Sequence, residues 1–256
     1  MEYACELWSG CSKFHIDLLE KLQLEAARIV TGLPTYASKQ SLYFETGWEM
    51  LITRRERRKL TLFYKMHNKL TPPYLYTLLP GLVGDRNPYP LRNNHNYIIH
   101  NHSLTNTRSS FIPATTRTWN NLPETTRNQP TLYRFKTAIT PQHQKPPIFF
   151  DHGPRHLNIL LTKLRYNCSA LNQDLYRVNL IESPSCACGH PRENTYHYLM
   201  ECPLYTNLRD EMLNKLRHYY PVTLDILVSG NTALSAAENK NIFQIVQTYI
   251  RESNRF

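Results

Sequence analysis

The chain has 256 residues, 41% of them hydrophobic, enough for one large domain or two small ones with buried cores. No stretch approaches the run of about 18 apolar residues that a membrane span needs, and the opening MEYACELWSGCSK lacks the basic leader and apolar core of a secretory signal. The formal charge of +10 is uneven: residues 1–140 hold 18 Lys/Arg against 10 Asp/Glu, residues 141–256 hold 12 against 10. Such a basic first half suggests a polyanionic partner, nucleic acid first, against the plainer reading of a cationic solvated surface.

FHIDLLEKLQLEAARIVTG predicts a helix, with Ile16, Leu19, Leu22, Ala26, Ile29 and Val30 as one apolar stripe. Thr31-Gly32-Leu33-Pro34 stops it with a glycine cap and a proline. A longer helix is expected over 48–70, with Trp48, Leu51, Ile52, Leu62, Phe63, Met66 and Leu70 inward. Pro72-Pro73 ends it and opens a short helix through Tyr74–Leu79. Residues 80–112 lose the helical period and read as loop or short strand, with 97–99 the best strand candidate. Two short amphipathic pieces follow, PATTRTWNNL and TLYRFKTAI, separated by a Pro-Glu-Thr-Thr turn.

PQHQKPPIFFDHGP, 141–154, carries four prolines and reads as a linker between a basic helical region, 1–140, and a helical domain, 155–256. In the latter, HLNILLTKLRYN and ALNQDLYRV predict a helical pair. Pro203 can start another helix at its first turn. Ser235 and Glu238 form a capping box before a last helix with Ile242, Ile245, Val246, Tyr249 and Ile250 on one side. The fold class expected is mainly α.

CACGHPRENTYHYLMEC, 186–202, offers Cys186, Cys188, His197 and Cys202, four soft or borderline ligands of the kind tetrahedral zinc takes. His-x4-Cys falls within the usual spacing; Cys-x-Cys is one residue tighter and needs a sharp turn, for which Pro184 and Gly189 are placed. A disulfide between cysteines one residue apart would be strained, and clustered cysteines in a reducing, intracellular setting (nucleus or cytoplasm) favour metal. Incidental buried thiols and another metal or redox use are the competing readings, and His190 is a second-choice ligand. Four protein ligands would close the site, making it structural. Asn194 or Thr195 could cap a helix carrying His197.

Arg54-Arg55-x-Arg57-Arg58-Lys59 places five cations in six residues. At about 100° per residue they wrap around the helix. Arg55 and Lys59 lie nearest the apolar stripe, whereas Arg54, Arg57 and Arg58 are expected to face solvent and phosphate. From Arg86 to Lys136 there are seven Lys/Arg and one acidic residue, with Tyr89, Tyr97, Phe111, Trp119, Tyr133 and Phe135 interleaved. Cations with aromatic faces suit single-stranded nucleic acid, so Arg92, Arg108 and Arg117 join the candidates. Phe111, Trp119 and Phe135 have apolar neighbours and fit a core better than a stacking platform.

A nucleotidyl-transferring site needs carboxylates holding two metal ions. None of the six aspartates is paired with another, and no phosphate-binding loop, nucleophile elbow or zinc-protease motif occurs. Asp210-Glu211, between Arg209 and Lys215, reads as a surface ion network. His100-Asn101-His102 reads as a polar loop. No catalytic residue is assigned.

Three stretches resemble one family. EYACELWSGCS…LEKLQLEAARIVTGLP resembles the region after the polymerase core in reverse transcriptases of non-LTR retrotransposons, jockey-like and related invertebrate elements especially. SFIPATTRTWNNLPETTRNQPTLYRFKTAI resembles that family's "F-P…W-N-x-L-P…F-K" segment. The stretch from His156 through Tyr205 resembles its carboxy-terminal zinc-binding segment, matched at Ser183, Pro184, Cys186, Cys188, Gly189, Glu193, Thr195, His197, Leu199, Cys202 and Pro203. The resemblance implies a thumb-like helical region, then a small helical domain with a zinc knuckle over 183–203. It implies a role in RNA-templated DNA synthesis of a mobile element, with template RNA or target DNA as partner. The family's aromatic-x-Asp-Asp box has no counterpart here, so no polymerase activity is carried over. A protein-interaction module docking on a polymerase core supplied in trans is the alternative.

Overall fold

The computed structural model describes residues 2–8, 10–86, 93–101, 103–140 and 153–256. It is mainly helical, and no strand occurs among the described residues. The helices are α1 Cys5–Trp8, α2 Lys13–Thr31, α3 Lys39–Thr46, α4 Leu51–His67, α5 Pro73–Tyr76, α6 Thr105–Ser109, α7 Phe111–Asn120, α8 Glu124–Arg127 and α9 Leu132–Ile139. After them come α10 Arg155–Arg165, α11 Asn172–Arg177, α12 Thr206–Leu216, α13 Leu224–Ser229 and α14 Ala236–Glu252. Almost all of the expected linker, 141–152, lies outside the described residues, as do Tyr89, Arg92 and His102.

The chain forms two units: Met1–Gln23 with Glu49–His143, and Leu24–Trp48 with Gln144–Phe256. Residues 24–48, expected with the basic first region, thus pack with the later part of the chain. The reason is apolar: Leu24, Ala27, Leu33 and Leu42 bury themselves together with Cys168, and Tyr166 covers them.

The first unit is built on an aromatic core. Leu60, Phe63 and Tyr64 of α4 meet Tyr97, Trp119 of α7 and Phe135 of α9. Tyr64 stacks on Phe135 with centroids 4.4 Å apart, and Phe63 lies 5.0 Å from Trp119. Such offset and tilted pairs add to area burial. The phenol tips are satisfied: Tyr64 Oη donates to the Gln129 carbonyl at 2.6 Å, and Tyr97 Oη lies 2.7 Å from His67 Nδ1. The Asn120 side chain clamps the Tyr97 backbone from both sides. Around it, the expected strand at 97–99 is reduced to one bridge, Leu82 with Tyr97.

Two helices bury a different face from the one their apolar pattern selects. Leu51, Phe63 and Met66 of α4 are inward as expected, but Ile52 is exposed, as are Trp48 and Leu70, which fall outside the helix, and Arg55, Leu60 and Tyr64 take their place. The inward row holds a buried arginine, Arg55, whose guanidinium lies over Trp8 at 4.8 Å, so hydropathy alone conceals it. In α2, Gln23, Leu24, Ala27 and Thr31 are buried, whereas Leu22, Ile29 and Val30 are exposed. That helix carries apolar residues on two faces, and Gln23 enters the protein because its amide donates to the Glu49 carbonyl at 2.8 Å. Gly32, at φ +69, ends it as predicted.

In the second unit, Leu157, Leu161 and Leu164 of α10 pack with Met212 and Leu216 of α12, Leu227 of α13 and Ile242, Phe243, Val246 and Ile250 of α14. The capping box closes α14: Ser235 accepts from the Glu238 amide and Glu238 accepts from the Ser235 amide. Among the described residues one ion pair is buried more deeply than the rest. Glu45 of α3, with no exposed side-chain surface, meets Arg165 of α10 at 2.5 Å, and Arg165 Nε donates to the Val228 carbonyl at 2.7 Å. Burial raises the Glu45 carboxyl above its ordinary value, and the guanidinium beside it pulls it back. Glu45→Gln removes the carboxylate beside Arg165 and is expected to cost about 3–5 kcal/mol. The check is the urea midpoint; replacing both residues by apolar ones, Glu45→Leu with Arg165→Met, should cost less than Glu45→Gln alone.

Candidate metal centre

The sharp turn that Cys-x-Cys requires is present. The Cys186 amide donates to the His190 carbonyl at 2.9 Å, and the Gly189 amide donates to the Cys186 carbonyl at 2.9 Å. Gly189 has φ +91, with open space where a Cβ would sit, so backbone conformation and not crowding selects glycine. On the far side, His197–Glu201 forms one π-helical turn, in which the Cys202 amide donates to the His197 carbonyl at 2.7 Å. Residues five apart on an α-helix point about 140° from each other. The wider turn brings them back to one side. Asn194 caps this turn as expected, its side-chain oxygen accepting from the His197 amide at 2.8 Å.

The result is convergence of all four sequence-predicted ligands. One donor atom from each of Cys186, Cys188, His197 and Cys202 lies within 4.8 Å of every other. Cys186 Sγ is 3.7 Å from Cys202 Sγ, and Cys188 Sγ is 3.3 Å from His197 Nε2. Cys186, His197 and Cys202 are buried. Burial pushes the Cys186 thiol up to about 12 and raises Cys202, whereas the backbone of His190 holds Cys188 below its ordinary value. Burial also lowers His197, so its imidazole is neutral at neutral pH, the form that ligates. His197 Nδ1 is buried without a hydrogen bond and faces the Glu201 carboxylate at 3.8 Å. A ligating histidine characteristically points its other nitrogen at such a group. The chemistry of the donor set and this orphaned atom fit a metal ion held by the four residues. His190 stacks on His197 at 4.1 Å and holds Arg192 through its Nδ1. With His197 and Glu201 it forms a second grouping, which shares His197 with the four.

Residues outside the ligand set anchor the loop. Glu193, buried, receives Arg255 Nε at 2.7 Å and the Asn172 amide at 2.9 Å. Thr195 Oγ1 donates to the Leu164 carbonyl of α10 at 2.9 Å. Arg209, expected on the surface, is buried and donates to the Cys202 carbonyl at 2.7 Å. Of that expected network only Glu211 with Lys215 forms, at 2.5 Å. Glu201, Arg209 and Arg255 were not assigned from sequence. Glu193 is legible in the sequence only as a motif position, and Thr195, the alternative cap, bonds to α10 instead of capping the turn.

The nucleic-acid candidates are placed unevenly. Arg58 is exposed, but Arg54 and Arg57 are half-buried and paired, Arg54 with Glu2 at 2.7 Å and Arg57 with Glu49. Glu2, distant in sequence, and Glu49, just before α4, place their carboxylates on these arginines, which corrects the expectation that all three stand free in solvent. Arg108 is exposed, and Arg117 donates to its carbonyl at 3.0 Å. Arg92 lies outside the described residues. Trp119 and Phe135 are core residues as expected, and Phe111 is half-buried; Tyr133 is exposed. No described helix is long and apolar enough to cross a membrane.

A stretch of 41 residues, 16% of the chain, is 46% identical to the Retrovirus-related Pol polyprotein from type-1 retrotransposable element R1 of Bradysia coprophila. The same identity over the same length relates it to the R1 3 polyprotein of Nasonia vitripennis. The chain is thus similar in part to non-LTR retrotransposon polyproteins, of which the match spans only 4% and 11% of the length. No family model and no solved structure matches.

Glu193→Gln removes a charge-assisted pair that ties the cysteine loop to Arg255. It is expected to destabilise the second unit by about 1.5–3 kcal/mol, measured as a lower midpoint in urea, with the first unit's transition unchanged.

Proposed function

We propose that this chain is a non-catalytic, nucleic-acid-binding segment from the region after the polymerase core of a non-LTR retrotransposon reverse transcriptase, and that it is stabilised by a structural zinc ion. The observation that carries the reading is the closed four-ligand centre. Zinc–sulfur bonds of about 2.3 Å at tetrahedral angles put two sulfurs about 3.8 Å apart, against 3.7 Å between Cys186 and Cys202. Four protein donors leave no open position for a reacting water, so the ion would supply folding energy and not chemistry. Arg255, Glu193, Thr195 and Arg209 hold the two ligand-bearing turns against the helical core. The partial similarity to R1 polyproteins supports the family.

Binding of template RNA or target DNA rests on the basic first half of the chain and on Arg54, Arg57, Arg58, Arg92, Arg108 and Arg117. The non-catalytic role rests on the unpaired aspartates of the sequence. The setting would be intracellular, nucleus or cytoplasm, where thiols stay reduced.

A second reading has its own observation. Phe14, Leu18 and Leu22 of α2, spaced by four, are 66%, 41% and 59% exposed. Such a stripe suits docking on a polymerase core supplied in trans.

The purified protein should contain one zinc per chain. The metal should be lost in Cys202→Ser and retained in His190→Ala, by elemental analysis of both variants. Nucleic-acid binding should fall steeply between about 50 and 200 mM salt. Binding that is absent at low salt or indifferent to salt, with a polymerase core still co-purifying after nuclease treatment, would favour the docking module instead.

A further inference from the structure

The first unit holds a cavity of about 240 Å³ walled by α4 and the end of α9. Arg54, Arg57 and Arg58 line it from α4, Lys136 lines it from α9, and Glu2 is its one acidic residue. The charges are not equivalent. Arg54 and Arg57 each pair with a carboxylate, Glu2 and Glu49. Arg58 donates to the Glu2 carbonyl, a neutral acceptor. Neither Arg58 nor Lys136 has a carboxylate partner among the described residues. Two cations on different helices therefore face one space without internal neutralisation.

The neutral groups of the wall sharpen the selection. Thr61 Oγ1 donates to the Arg57 carbonyl at 2.7 Å, and Thr140 Oγ1 donates to the Lys136 carbonyl at 2.6 Å. With both hydroxyl protons committed, the donors left for a ligand are cationic. The pairs with Glu2 and Glu49, and for Arg54 a further bond from Nη1 to Gln23 Oε1 at 3.3 Å, hold Arg54 and Arg57 in place, so their orientation is set before a ligand arrives. Forked and point-like cations approaching from two sides suit an anion that spreads its charge over several oxygens.

We infer that this cavity seats a backbone phosphate of a bound nucleic-acid strand, with Lys136 and Arg58 as its principal contacts. This rests on the reading of the chain as nucleic-acid-binding. A strand is favoured over a small anion because the excess positive charge extends through the whole of residues 1–140, 18 Lys/Arg against 10 Asp/Glu.

The test is a matched pair of charge reversals on one helix. Lys136 and Arg134 are both exposed on α9, but only Lys136 lines the cavity. Lys136→Glu and Arg134→Glu change the net charge equally. Binding of single-stranded RNA and DNA of about 20 nucleotides is followed by fluorescence anisotropy across a salt series. Lys136→Glu should weaken binding about tenfold at 50 mM salt and lower the log–log salt slope by roughly 0.7, the share of one phosphate contact on a single strand. Arg134→Glu should weaken it less than about twofold. Equal losses in the two variants, or no loss in either, overturn the seat while the nucleic-acid reading stands. A wild-type protein that binds neither strand at low salt overturns both.

Discussion

The amide of Cys202 reaches back five residues to the carbonyl of His197, one residue further than an α-helical bond. Much of the second unit's chemistry hangs on that single hydrogen bond. With four-residue closure, the His197 imidazole and the Cys202 thiol would leave the helix on different sides. The wider turn is affordable because the loop around it is tied elsewhere: Arg255 and the Asn172 amide hold Glu193, Leu164 holds Thr195, and Arg209 holds the Cys202 carbonyl. Two of the ties, from Leu164 and Arg209, come from α10 and α12, whose apolar faces form the core. The geometry of the Cys/His cluster and the packing behind it are therefore linked, and a change to either is felt by the other.

In the first unit, positive charge does two jobs. Arg55 is a packing residue, its guanidinium over Trp8 and its stem in the interior. Arg54 and Arg57 fasten α4 to Glu2 and Glu49. Counting cations along α4 thus overstates what it offers an external anion. The arginines neutralised from within are also the ones held in fixed orientation.

The helices were legible from sequence wherever periodic apolar residues met a clear stop, as at Gly32, or a clear start, as at Ser235. The convergence of Cys186, Cys188, His197 and Cys202 was legible because metal chemistry limits which residue types recur at which spacing. The buried faces of α2 and α4 were not. A helix with apolar residues on two sides has no local signal for which side wins, and that is decided by partners such as Glu49 and Trp8. The roles of Glu193 and Arg209 were hidden for a related reason. Glu193 meets Arg255 across 62 positions, and Arg209 looks like a surface cation until Cys202 is in place.

Residues 24–48 belong with the later unit, while the residues before and after them belong with the earlier one. The polypeptide consequently passes between units three times, and no single cut separates them. Proteolysis within 141–152 would leave each unit still joined through the other two crossings. A fragment made from residue 144 onward would lack Leu24, Leu33 and Leu42, the side chains that bury Cys168, as well as Glu45, the partner of Arg165. The smallest autonomous piece carrying the cysteine loop is thus a discontinuous one, with 24–48 rejoined to it by a designed connection. Evolutionary shuffling of the loop as a contiguous cassette would meet the same obstacle.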